Sequence, residues 1–177
     1  MNENRLEQIL RSDPRIEQIY EGSFCRDNLP VLKPNRIYLI NSDYSSGPGE
    51  HYILLGTLGS PILGHKYSNK KIQWCCSYTT SPRSFPHIFK RIKDTGRTIC
   101  TLRRRLQAPG ATNCSIFTIF FAYCLSRGID PAKMIKLFFK NIDVYKATIW
   151  VTVVIQTIFN LNESVERLLY DSNFGAN

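Results

Sequence analysis

Between Ser115 and Arg127 the chain reads SIFTIFFAYCLSR, a helix-length run that is apolar on nearly every side. A helix without a polar face has to be enclosed, so this segment is expected in the middle of the domain, with Gly128 as its C-terminal stop. The chain has 177 residues, 43% of them hydrophobic and 21% charged, enough for one domain with a sizeable core around that helix. The same balance excludes a disordered, collagen-like or low-complexity protein. A second apolar stretch, from Ala147 to Leu161, is rich in Thr and broken by Gln156 and Asn160, short of the ~20 residues a membrane span needs. The N-terminus carries Glu3 and Glu7 and lacks the apolar core of a secretory signal, so a reducing compartment is expected.

Around the central helix the periodicity changes twice. Leu6, Ile9 and Leu10 predict an amphipathic helix from about Glu3 to Asp13-Pro14. Three β-rich runs follow: Arg36–Ser42 (RIYLINS), His51–Leu58 (HYILLGTL) and Lys71–Ser77 (KIQWCCS). The polar loop Asp43–Gly49 separates the first two, and Gly64–Asn69 closes a hairpin between the second and third, which predicts an antiparallel meander. Pro86 and Gly96 bracket a further helix, and Thr98–Leu102 reads as one more strand. Past the central helix, Asp130 caps a helix with Pro131 at its first position and Met134, Leu137 and Phe138 as its buried stripe. Asn162 caps a last one ending near Tyr170. This order has no βαβ repeat, so the expected class is α+β, a single domain over residues 1–177.

Chemistry concentrates at the start of the central helix. Cys114 follows the loop Ala108–Asn113 (APGATN), at a helix N-terminus where unpaired N–H groups and the macrodipole stabilise a thiolate. The competing reading is a small buried hydrophobe, which is the expectation for Cys124. Two other residues favour the nucleophile. His51 opens a strand directly after a Gly-Pro-Gly-Glu turn, so its ring projects from a strand end, and Gln107 stands seven residues before Cys114, placed to donate to an oxyanion beside the Cys114 N–H. The six cysteines, without a signal peptide, read as free thiols. The three histidines are not at zinc-ligand spacing, so no metal site is expected.

Four stretches together resemble the adenovirus-type cysteine endopeptidases (adenain) and their relatives in adenovirus-like viruses and Polinton-type transposons. They are Gly22-Ser-Phe24-Cys-Arg-Asp27-Asn-Leu29-Pro30, then Ile40-Asn41-Ser42 with the following turn and Glu50-His51-Tyr52, then Gln107 to Cys114, and the helices after it. The similarity spans about Tyr20 to Lys140; SUMO-specific proteases share the His, acid, Gln, Cys order. The resemblance implies a papain-like fold with an antiparallel sheet packed with helices. It also implies a protease of capsid and core precursors, in the virion and host nucleus if viral, that prefers small residues such as glycine at the scissile bond. Cys114 is then the nucleophile, His51 the base and acid, and Gln107 the oxyanion donor.

The departures matter as much. Where the family has a carboxylate flanked by aromatics, this chain reads Trp74-Cys75-Cys76-Ser77-Tyr78, so the acid is missing. Cys76 takes its place, with Cys75 as the alternative register, and is expected on the Nδ1 side of His51; Asp43, Ser77 or water are the other groups able to orient the ring. Ser115 replaces the usual Gly and Tyr52 the usual Trp. A non-catalytic DNA-binding or virion structural protein on the same fold is the competing expectation.

No cofactor is required by the dyad, but the family resemblance adds DNA and a short viral peptide as activators. The net charge is +9, and Lys90, Arg91, Lys93, Arg97, Arg103, Arg104 and Arg105 form the basic segment that would meet DNA phosphates. A solvated helix face explains the same run equally well. No membrane partner is expected.

Overall fold

The structure is a computed structural model that describes residues 1–57 and 71–161. The hairpin turn expected at Gly64–Asn69 and the helix expected from Asn162 to Tyr170 lie outside the described residues. The architecture is α+β, a five-stranded sheet packed with helices. Strands β1 (Tyr20–Cys25), β2 (Ile37–Asn41), β3 (Tyr52–Gly56), β4 (Lys71–Cys75) and β5 (Thr98–Thr101) lie side by side in chain order.

The expected antiparallel sheet is corrected to a mixed one. The meander β2-β3-β4 is antiparallel, but β1 pairs parallel to β2 and β5 parallel to β4. Both parallel strands arrive through longer connections, and the one into β5 contains α3 (Pro86–Asp94). Strand β1 had no signal of its own because its residues, YEGSFC, mix polar and apolar types without alternation.

Each central strand is buried on both faces, which explains its unbroken apolar pattern. Ile37, Leu39, Leu54 and Cys75 face a core shared with α1 (Glu3–Ser12), α2 (Pro14–Glu17) and α4 (Cys114–Ser126). Tyr38, Ile40, Ile53, Leu55, Trp74 and Cys76 face a second core closed by Ile88 and Ile92 of α3. Helix α4 is buried as its composition demands, with Tyr123 alone half-exposed between Cys114 and Ser126. It lies close against β3: a Cβ on Gly56 would come within 2.9 Å of Leu125 Cδ1, so a side chain there would push helix from sheet. Arg127, just past α4, pairs at 2.6 Å with Asp13, which also caps α2, tying the N-terminal helices to the central one.

Helix α5 (Pro131–Phe138) has the predicted cap, Asp130, but not the predicted buried stripe. Ile135 and Phe139 are buried, whereas Leu137 is 76% and Phe138 52% exposed. The helix lies along the edge of the core, so a one-residue rotation of its contact face decides which apolar residues are covered. The Thr-rich stretch becomes α6 (Val144–Phe159), a helix the sequence did not announce. Its hydroxyls are satisfied within the helix, as where Thr152 donates to the carbonyl of Thr148 (2.9 Å) and Thr157 to that of Val153 (2.8 Å). Among the described residues no helix is long and apolar enough to cross a membrane.

Candidate active site

Strand β3 begins, and β4 ends, at the same end of the sheet, and the segment after β5 returns there. Leu106 and Gln107 donate their N–H groups to the carbonyl of Ser77 (2.9 and 3.3 Å), which brings the Gln107 segment against the end of β4. The same segment is held from its other side by α6. Thr148 Oγ1 accepts from the N–H of Ala108 (3.3 Å) and lies 3.1 Å from the carbonyl of Leu106.

Gln107 is fully buried and its carboxamide is engaged at both ends. Oε1 accepts from the Ser77 hydroxyl at 2.6 Å, and Nε2 donates to the carbonyl of Ala111 in the loop before Cys114. The Tyr78 hydroxyl is a further side-chain partner of the Gln107 amide. The Tyr78 hydroxyl donates to that same Ala111 carbonyl (2.6 Å), and Arg105 lies with its guanidinium 4.7 Å from the Tyr78 ring centroid. The links of Ser77, Tyr78 and Arg105 to the Gln107 segment are what sequence reasoning missed here. Ser77 is 30 residues from Gln107, and no local pattern marks such a pair.

Cys114 is the first residue of α4. Burial pushes its thiol up, against the N–H groups of Tyr52, Ser115 and its own residue, which favour the thiolate. Burial wins, which corrects the expectation of a thiolate at rest. The Tyr52 N–H beside the sulfur is informative in another way, because Tyr52 is the residue after His51. Cys124 behaves as the expected core cysteine, 1% exposed with its thiol pushed up to about 12 by burial. Asn113, which precedes Cys114, is 3% exposed, and neither atom of its carboxamide has a hydrogen-bond partner.

His51 sits one residue before β3, its carbonyl accepting from the N–H of Ser42 (2.8 Å). Burial lowers its pKa to about 4. Its Nε2 lies 3.4 Å from Cys76 Sγ, and its ring is 4.8 Å from that of Tyr78. Of the two cysteines it is Cys76 that faces His51, whereas Cys75 points to the opposite core, its thiol raised by burial. The contact is on the Nε2 side, correcting the expectation of Nδ1, and so Nδ1 is the nitrogen left to serve a thiol. Among the described residues no hydrogen bond joins Cys114 to His51, a separation common in resting sites of this chemistry.

Among the described residues no carboxylate is hydrogen-bonded to His51. Asp43 is spent on its own loop, with Oδ1 accepting from Tyr44 N–H (2.8 Å) and Oδ2 from Gly49 N–H (3.1 Å). Gly49 has φ +90°, and a Cβ there would sit 2.7 Å from Asn41 Nδ2. This loop geometry needs glycine. Ser77, the other proposed orienting group, gives its hydroxyl to Gln107 instead.

The basic segment does not form one surface. Lys90, Arg91, Lys93 and Arg97 lie on or next to α3, while Arg103 and Arg104 line a cleft with α5. Arg97 donates to the carbonyl of Thr57 (3.2 Å), Arg104 to those of Phe139 and Ile142, and Arg105 Nε to that of Gln107 (2.9 Å), so three of the seven have structural partners. Among the described residues no group of three or more His, Cys, Asp or Glu is placed to hold a metal ion. No protein-family model matches the chain, and no curated protein matches its sequence significantly.

Proposed function

We propose that this chain is a cysteine endopeptidase of the adenain type, papain-like in fold, acting on capsid and core precursors of a virus or transposon. The observation that supports it is the convergence of three residues far apart in sequence: His51 at the start of β3, Gln107 after β5 and Cys114 at the head of α4, bridged by Tyr52, Ser77 and the Ala111 carbonyl. Chance burial gives no reason for a Gln to be locked against the loop that leads into a Cys at the first position of a helix.

In the proposed reaction the Cys114 sulfur attacks the peptide carbonyl carbon as its proton passes to Nδ1 of His51. The oxyanion takes hydrogen bonds from the Cys114 N–H and from the Gln107 amide, which exchanges its Tyr78 partner for the substrate oxygen. The tetrahedral intermediate collapses to a thioester, and His51 returns the proton to the departing amine. Water, deprotonated by His51, then hydrolyses the thioester, releasing a carboxylic acid and the Cys114 thiol. A neutral thiol and a neutral imidazole at rest mean that proton transfer accompanies attack and does not precede it. DNA is proposed as an activator through Lys90, Arg91, Lys93 and Arg97, the basic residues nearest α3.

A second reading, a protease homologue without activity that serves as a virion structural or DNA-binding protein, draws on one observation: only a thiol faces Nε2 of His51. Labelling with a glycine-terminated peptidyl vinyl sulfone at neutral pH separates the two. Selective modification of Cys114, lost in His51→Ala, is the expected result. Modification spread over the cysteines and indifferent to His51 would overturn the protease reading.

A further inference from the structure

The cleft between the segment after β5 and helix α5 has a volume of about 460 Å³. Its floor includes Leu102 and Ile135, its rim Arg103, Lys133, Lys136 and Lys140, and no acidic residue lines it. Beside the rim lysines, α5 carries the exposed Leu137 and Phe138 (76% and 52%). Across the turn, α6 adds Tyr145 and Ile149, 56% and 44% exposed. Phe138 stacks on Trp150 with ring centroids 6.0 Å apart, and Phe139 meets the same indole edge-on at 5.1 Å. Arg104 fastens the carbonyls of Phe139 and Ile142 to the cleft wall, so the platform is held in place before anything binds.

Large apolar side chains exposed together mark an interaction surface, and this one adjoins a ring of cations with no ion-pair partner among the described residues. We propose that it docks an acidic protein segment carrying bulky apolar residues, carboxylates on the lysine rim and apolar side chains in the cleft and against Leu137 and Phe138. Charge complementarity selects this occupant. A second copy, itself +9, would set lysine against lysine. A nucleic-acid backbone would satisfy the cations but leave Leu137, Phe138 and Ile149 in water. A membrane is too flat to fill a recess of this depth. The surface does not include Cys114, so its occupant need not enter the candidate active site. It is nevertheless coupled to the site, since Arg103 and Arg104 lead directly into Gln107 and α6 holds that segment through Thr148.

The test is fluorescence anisotropy of a short fluorescein-labelled peptide of glutamates interleaved with leucine and phenylalanine, titrated with the intact chain. The expected result is saturable binding, weakened about tenfold by Lys133→Glu with Lys136→Glu and about tenfold by Leu137→Ser. All three positions are exposed, so circular dichroism of these variants should be unchanged. Equal binding of polyglutamate, or of a DNA duplex, with no effect of Leu137→Ser would reduce the surface to a polyanion site and overturn the proposal. So would binding to phosphatidylserine vesicles in place of the peptide, or a dimer in sedimentation that Leu137→Ser dissolves.

Discussion

Gln107 and His51 stand at the same end of the sheet, yet they are held very differently. Gln107 is fixed by a hydroxyl donor on Oε1, a carbonyl acceptor on Nε2, two backbone bonds to Ser77 and a threonine from α6. His51 has a sulfur 3.4 Å from Nε2 and an aromatic ring 4.8 Å away, in surroundings that strip its charge. The half that would stabilise an oxyanion is preorganised, whereas the half that would move the proton is loosely oriented. Under the proposed chemistry this difference is a matter of rate: a thiol needs less help to ionise than a serine hydroxyl, so the acid is the most dispensable member of such a site.

The largest expected effect breaks both halves at their common target. Cys114→Ala should abolish peptide cleavage, and His51→Ala should lower kcat/KM by about 10⁴ or more, with thermal unfolding little changed because the first removes a single sulfur atom and the second a side chain only partly buried. Measured kcat for a glycine-containing peptide and Tm by calorimetry check both.

Next comes the preorganised half alone. Gln107→Ala should cost about 10²–10³ in kcat through loss of an oxyanion donor, and should also lower Tm, because the Ser77 hydroxyl and Ala111 carbonyl lose their buried partner. Gln107→Glu keeps the acceptor for Ser77 while losing the Nε2 donor. It should match the kcat loss of Gln107→Ala, and an activity near wild type would show that Gln107 is structural only.

The loose half is tested by supplying what it lacks. Cys76→Asp puts a carboxylate on Nε2 of His51; it should raise the imidazole pKa, read by NMR, and increase turnover by about tenfold or more. Cys75→Asp places the same charge in the opposite core without a partner and should cost about 3 kcal/mol of stability or more with no gain in rate. A gain at Cys75 alone would refute the register seen here.

The smallest effect is in pH dependence. Burial lowers the His51 pKa from 6.5 to about 4, so the unfolded chain binds a proton at mildly acid pH that the folded chain refuses. The corresponding stability is present in full above pH ~6.5 and is lost as pH falls towards about 4. His51→Gln should flatten the fall of Tm across that window. Alkylation of Cys114 by iodoacetamide should keep climbing above neutral pH, since burial raises the thiol, and a plateau from pH 6 would mean a resting ion pair.

The central helix, the three-strand meander, α1, α3 and the cap of α5 were legible in the sequence because each rests on local signals: periodicity, proline and glycine punctuation, a capping side chain. So were the position of His51 at the start of a strand and that of Cys114 at the head of the central helix. The parallel pairing of β1 and β5, the contact face of α5 and the partners of Gln107 were not legible. They depend on residues brought together across the fold: Ser77, Thr148 and Ala111 become meaningful to Gln107 only once β4, α6 and the loop before α4 meet. The ionisation of the site was decided there too. A helix N-terminus read in isolation lowers a thiol's pKa, but the depth at which α4 is buried reverses the sign, because desolvation is a property of everything packed around the sulfur and of no segment alone.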